Sequence, residues 1–291
     1  MFTMINVMLT TGLYVTAMSG QLSMATAAIA GIGGYTAAVL TTNFGWPFTA
    51  AVTFGAASGA LVGTFLAAVT VRMQLFILKL TTLAFGEAIA VIAFNIEYIG
   101  GANSFTGIPL HTSFAVVMTG LGIALYVAWR FDGSRLGFAA RAVRDDPLAA
   151  SAMGISVLRT RVATFALGAA ICGMAGAIQA HYMLVMNPSE LGFYVSLTYI
   201  IFLLLGGLHT LWGPVLAAVV LTALPEMLRF AAQYRLILFG LAITVVILFR
   251  PDGLVTRTPT GVKRGLGRWF AARARTRASV KPAAPLRPDR R

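Results

Sequence analysis

The first charged residue of this chain is Arg72. So long a start without Lys, Arg, Asp or Glu offers water no polar face, and the rest continues in kind. Apolar residues make up 58% of the chain and charged residues 11%, against about 25% charged in a soluble domain. The polypeptide is therefore an integral membrane protein, and its architecture follows from its apolar runs of about 20 residues, the length that crosses a bilayer. The N-terminus lacks the basic region that begins a secretory signal, so Met1 to Met18 reads as the first span or part of one. A single cysteine, Cys172 in an apolar run, excludes an intramolecular disulfide and offers no metal cluster.

By that length rule the chain is an all-α polytopic bundle of about eight transmembrane helices. The first apolar segment, about 3 to 18, ends at Ser19-Gly20-Gln21, and the second, about 22 to 41, is rich in Ala and Gly. Its Gly31, Gly33 and Gly34 would let backbones approach closely, which predicts a helix inside the bundle. No Lys-Ser or Lys-Thr follows them, so they are not a phosphate loop. The turn Asn43 to Pro47 leads to a segment at about 47 to 71, long enough to tilt, and then one at about 76 to 98 carrying Thr81, Thr82, Glu87 and Asn95. GGANSFTGIP (100 to 109) has the Gly, Asn and Pro content of a structured loop. Further segments lie at about 112 to 130, 160 to 181, 195 to 206, 211 to 228 and 236 to 250. GGLHTLWGP (206 to 214) breaks the apolar run, as a tight turn between two helices or as a half-helix break of the kind transporters use near a substrate path.

Midway, residues 130 to 161 are polar and basic, with six arginines (Arg130, Arg135, Arg141, Arg144, Arg159, Arg161) against three aspartates. Positive loops resist translocation, so this one is cytoplasmic. Gly133 and Ser134 make a turn, Leu136 to Asp145 reads as a short helix, and Asp146-Pro147 is an N-cap followed by proline at the first helical position. The second helix runs only to Met153, where Gly154 supplies a left-handed end, and Ser156 can cap the next membrane helix. Leu148, Ala149, Ala152 and Met153 form a small apolar face flanked by Arg144, Asp145 and Asp146. Such a knob suits a groove on a cytoplasmic partner; the plainer reading is a loop that lies on its own helix ends.

With this loop inside, alternation puts the Arg72 to Lys79 turn and the C-terminal tail inside, and 98 to 111 and 182 to 194 outside. Only Arg229 and Arg235 then fall on the wrong side. Met1 falls outside, which points to an upstream span missing from this chain. The formal charge of +13 is concentrated in residues 250 to 291, which hold twelve of 22 basic and two of nine acidic residues. The division is thus a transmembrane part, 1 to 252, and a basic tail, 253 to 291. That composition predicts a disordered, solvated segment, or one adhering to anionic lipid at about 1 kcal/mol per basic residue near the surface; nucleic-acid binding is not expected.

The run Leu136-Gly137, Arg141-Ala142-Val143-Arg144-Asp145-Asp146, Ala149-Ala150, Ala152-Met153-Gly154-Ile155 resembles the coupling loop of branched-chain amino acid permeases of ATP-binding-cassette importers, LivM-like subunit. SGQLSMATAAIAGIGGYTAAVL (19 to 40) resembles the Gly-Gln-Leu-Ser signature of LivM and LivH permeases. GGANSFTGIP is similar to the family's external loop, and Gly206-Gly207 with Leu211-Trp212-Gly213-Pro214 to a further motif, from which His209 departs in place of a small residue. Arg250-Pro251-Asp252-Gly253 resembles the end of the last span, so the likeness runs from Ser19 to about Gly253.

The resemblance implies a bacterial inner-membrane permease with coupling loop and tail in the cytoplasm, a second homologous LivH-like permease subunit, two ATP-binding subunits below, and a periplasmic substrate-binding protein. Branched-chain or other hydrophobic amino acids are the implied cargo, and relatives that take urea or short amides are the alternative. No Walker motif occurs, so no cofactor is expected on this chain and ATP is used by partner subunits. The residues implied in coupling are Arg141, Arg144, Asp145, Asp146, Leu148, Ala149, Ala152, Met153 and Gly154.

Glu87 is the acidic residue nearest the middle of a span, and an ionisable group there needs a polar partner or cavity. Either Glu87, with Thr82 and Asn95, belongs to the transport path or its gating contacts, or Glu87 makes an interhelical hydrogen bond to a polar side chain such as Gln21 or Ser23. Gln21 and Ser23 sit at the break between the first two spans, where a helix N-terminus could receive a carboxylate, or serve as cap and loop polar groups. Glu226 and Arg229 read as an exposed pair worth little. His111 and His181 lie at membrane borders and His209 is isolated, so no triad or metal constellation forms. An ion-coupled secondary transporter would need more ionisable groups at the midplane than Glu87. An intramembrane enzyme would need convergent His, Asp, Glu or Cys residues, which the sequence does not supply.

Overall fold

The structure is a computed structural model that describes residues 1–227 other than Arg72 and Gln74, together with Gly240. The predicted segment at 236 to 250, the Glu226–Arg229 pair and the basic tail lie outside the described residues or side chains. Ten α-helices occur among the described residues: α1 (Phe2–Ala17), α2 (Thr26–Thr42), α3 (Phe48–Thr70), α4 (Leu75–Asn95), α5 (Phe114–Asp132), α6 (Arg135–Asp145), α7 (Pro147–Ala152), α8 (Val157–Met183), α9 (Phe193–Gly206) and α10 (Trp212–Met227). No strand is present among them, and the chain is an all-α polytopic membrane protein.

Among the described residues four helices, over Phe48–Thr70, Phe76–Asn95, Phe114–Asp132 and Val157–Met183, are long and apolar enough to cross a membrane. The predicted fourth span continued to 98; α4 stops at Asn95 because Ile96 turns extended and Gly100, at φ 90°, redirects the chain through two 3-10 turns. α1, α2 and α9 have 16, 17 and 14 residues, and at about 1.5 Å per residue they fall short of a hydrocarbon core about 30 Å thick. Non-helical chain makes up part of the difference. The link 18–25 places Met24 N–H 3.0 Å from Thr82 Oγ1 of α4, and Leu191, before α9, packs beneath Gly31 of α2.

α8 is the axis. In its most apolar window 61% of residues are buried, against 22% to 28% in α3, α4 and α5. It packs on α1, α2 and α3 through small residues. Gly55, Gly59 and Gly63 of α3 recur every fourth position along one face, and a Cβ at Gly59 would sit 2.6 Å from the Ala169 carbonyl oxygen and 2.9 Å from Gly173 Cα. That backbone approach is what a small-residue stripe permits in lipid. α2 is largely buried, as its glycines predict.

Chain alternation gathers the loops at two ends. One end holds the links α1–α2, α3–α4, α5–α8 (with α6 and α7) and α9–α10. At the other end Phe105 and Met186 exchange backbone hydrogen bonds of 2.9 Å, and Tyr35 Oη donates to the Met186 carbonyl at 3.2 Å. The 206 to 214 break resolves as the tight turn: α9 ends at Gly206, Gly207 has φ 94°, and α10 begins at Trp212.

Candidate functional site

The loop between α5 and α8 is anchored before it projects. Ser134 Oγ accepts from Gly137 N–H at 3.1 Å and starts α6, a cap the sequence reading had treated only as a turn. Ala140 and Val143 are fully buried, so α6 lies on the bundle end. Arg141 clamps it there: Nη1 meets Asp132 Oδ1 and Nη2 donates to the Asp132 carbonyl, both at 2.6 Å, while Tyr14 Oη of α1 donates to the same carboxylate at 3.2 Å.

Asp146 then caps α7 as predicted, accepting from Leu148 N–H at 2.8 Å and Ala149 N–H at 3.1 Å, with Pro147 following. Gly154, at φ 82°, turns the chain after Met153, and Ser156 caps α8 through Arg159 N–H at 3.4 Å. Ala150 faces the bundle. Leu148 and Met153 point away from it at 82% and 83% exposure, with Ala149, Ala152, Gly154 and Asp145 exposed beside them. The apolar knob is therefore present. Arg144, read from sequence as flanking it, is turned inward, its Nη1 donating to the Leu208 carbonyl at 3.1 Å.

Gln21, Ser23 and Thr82 come together at the start of α2. Ser23 Oγ accepts from Ala25 N–H, Thr82 Oγ1 from Met24 N–H and Ser196 Oγ of α9 from Ala27 N–H, at 3.1, 3.0 and 3.1 Å. Ser23 and Ser196 thus occupy donors that an isolated helix start leaves open, and Thr82 fixes the residue just before them. Ser196 was missed by sequence, because its partner is 169 positions away. Ser19 Oγ donates to Gln21 Oε1 at 3.1 Å and accepts from Thr164 of α8 at 2.8 Å. Gln21 Nε2, in a side chain 1% exposed, has no hydrogen-bond partner among the described residues.

Glu87 is not in this group. Its Oε1 accepts from Phe193 N–H at 2.7 Å, so its partner is the first residue of α9 and not Gln21 or Ser23. A carboxylate at a helix N-terminus is favoured by the unpaired N–H groups and the helix dipole. Asn95 is also apart, donating to the Val91 carbonyl of its own helix at 2.7 Å. Beside the start of α9, Leu9, Ala27, Gly31, Asn187, Glu190 and Tyr199 line a cavity of about 30 Å³, room for a water or two and not for an amino acid.

His111 and His181, separate in the sequence reading, meet with ring centroids 6.3 Å apart and Phe48 against both. His181 is a satisfied core histidine: Nδ1 pairs with the Ala177 carbonyl and Nε2 with Thr41 Oγ1, at 2.8 and 2.9 Å. Among the described residues no three His, Cys, Asp or Glu side chains converge on a metal position.

The model of one protein family, the permease component of the branched-chain amino acid transport system, matches residues 1–249. The chain belongs to that family. This permease is 27% identical to the high-affinity branched-chain amino acid transport system permease protein LivM of Salmonella typhimurium over 297 aligned positions, which cover 90% of the permease and 70% of LivM. LivM of Escherichia coli is 26% identical with the same coverage. LivH of Salmonella typhimurium is 28% identical over 195 positions, covering 64% of the permease and 62% of LivH. No solved structure matches. Membership makes the permease a multi-pass transport subunit and not an enzyme.

Proposed function

We propose that this permease is a membrane-spanning subunit of a bacterial inner-membrane importer driven by ATP, that α7 is its cytoplasmic coupling helix, and that its cargo is a branched-chain or other hydrophobic amino acid. A LivH-like permease lies alongside, two ATP-binding subunits dock below the pair with α7 as this chain's contact, and a periplasmic binding protein delivers the cargo. ATP is hydrolysed on the docked subunits. Residues 1 to 252 form the translocating part, and 253 to 291 a cytoplasmic basic tail.

One observation carries this reading: a six-residue helix, fixed at its start by Asp146 and backed by a clamped α6, presents Leu148 and Met153 at 82% and 83% exposure.

The test is co-expression with the ATP-binding subunits. Leu148→Asp together with Met153→Asp is expected to abolish their co-purification and ATP-dependent leucine uptake while leaving the permease in the membrane. Full uptake by that double variant would overturn the assignment of α7. Leucine uptake competed by isoleucine and valine is expected; competition by urea or acetamide alone would move the cargo to short amides.

A further inference from the structure

A basic residue on a loop read as docking to a partner should face outward. Arg144 does not: its side chain is 17% exposed and lies across the bundle end. Its Nη1 donates to the Leu208 carbonyl at 3.1 Å, in the turn between α9 and α10. Its Cγ and Cα lie 3.4 and 3.5 Å from where Gly20 would carry a Cβ, in the link between α1 and α2. Its Nε lies 3.3 Å from Asp145 Oδ1, a carboxylate whose side chain is 72% exposed.

One side chain at the end of α6 therefore touches two connections of the membrane bundle that lie far from it in sequence. Both bend through glycines at positive φ, Gly20 at 81° and Gly207 at 94°. Each leads inward. From Gly20 the chain passes to Ser19, bonded to Thr164 of α8, and to Met24, bonded to Thr82 of α4; from Gly207 it passes to α9, whose far end is held by Glu87. α7 follows α6 directly through Asp146, so displacement of α7 reaches Arg144 within a few residues.

We propose that Arg144 is an internal strut that transmits movement of α7 to the α1–α2 link and the α9–α10 turn at once. It is a positioning residue of the transport cycle and makes no contact with cargo or nucleotide. The inference rests on the coupling role proposed for α7. Arginine suits the task because its planar fork can donate to Leu208 and Asp145 together, whereas lysine offers one compact charge on a flexible stem.

The test uses the whole complex in proteoliposomes, comparing Arg144→Gln and Arg144→Lys with the natural chain. The readout is ATP hydrolysed per amino acid imported, measured beside thermal stability and subunit recovery. Arg144→Gln is expected to assemble, to hydrolyse ATP, and to raise that ratio about fivefold or more; Arg144→Lys should be intermediate. If Arg144→Gln does not accumulate, the Arg144→Lys ratio decides. An unchanged ratio in a stable variant overturns the strut, as does a parallel fall of hydrolysis and import that tracks lost stability. A natural chain that recovers no ATP-binding subunit would instead defeat the coupling reading itself.

Discussion

Asp146 holds two backbone N–H groups at 2.8 and 3.1 Å in a helix of six residues, too short to persist without its cap. Asp146→Ala removes a cap worth about 1 kcal/mol. Faster proteolysis within 146 to 154 and weaker ATP-dependent uptake are expected, and Asp146→Asn should restore both. This residue was legible because its partners are its neighbours: the dipeptide Asp-Pro carries the geometry. Glu87 was legible only as an anomaly, since Phe193 lies 106 positions away. Its two sequence readings now separate by experiment. As a cap on α9, Glu87→Gln keeps an acceptor and should keep most uptake, while Glu87→Ala should lower the unfolding temperature in detergent. A carboxylate required in the transport path would instead make the Gln variant stable and inactive.

Among elements, α3 against α8 is the packing on which the bundle turns. Substituting Gly59 places a branched side chain where the Ala169 carbonyl and Gly173 Cα already stand, 2.6 and 2.9 Å from the new Cβ. Helices in lipid associate through close packing, so forcing this pair apart removes what holds it. Gly59→Val is expected to lose most monodisperse protein on size-exclusion chromatography, while Ala57→Val, on the exposed side of α3, should elute normally. The α2 glycines were read correctly as a packing face because they crowd together within a few positions. The α3 stripe at every fourth residue carries the same information in a longer period and was passed over. The links 18–25 and 184–192 were legible as a break after Ser19-Gly20-Gln21 and a loop at 182 to 194, but not their contacts: apolar length gives the number of crossings, not which helices the connecting chain packs against.

At the scale of the whole molecule, alternation of the helices fixes which loops share an end but not which end faces the cytoplasm. Charge supports a reading. The end bearing α6 and α7 carries Arg135, Arg141, Arg144 and Arg159, whereas the other end, at 96–113, carries Glu97 and no Lys or Arg. The positive-inside bias supports the proposal that the first is cytoplasmic. Cysteine labelling tests it with little background, because the natural Cys172 is 2% exposed. Leu148→Cys and Asn103→Cys place thiols on exposed positions at opposite ends. An impermeant maleimide should label Asn103→Cys in intact spheroplasts and Leu148→Cys only in inverted vesicles. Labelling of Leu148→Cys in spheroplasts would put α7 in the periplasm, where no ATP-binding subunit could reach it, and the knob, the strut and the proposed import cycle would fall together.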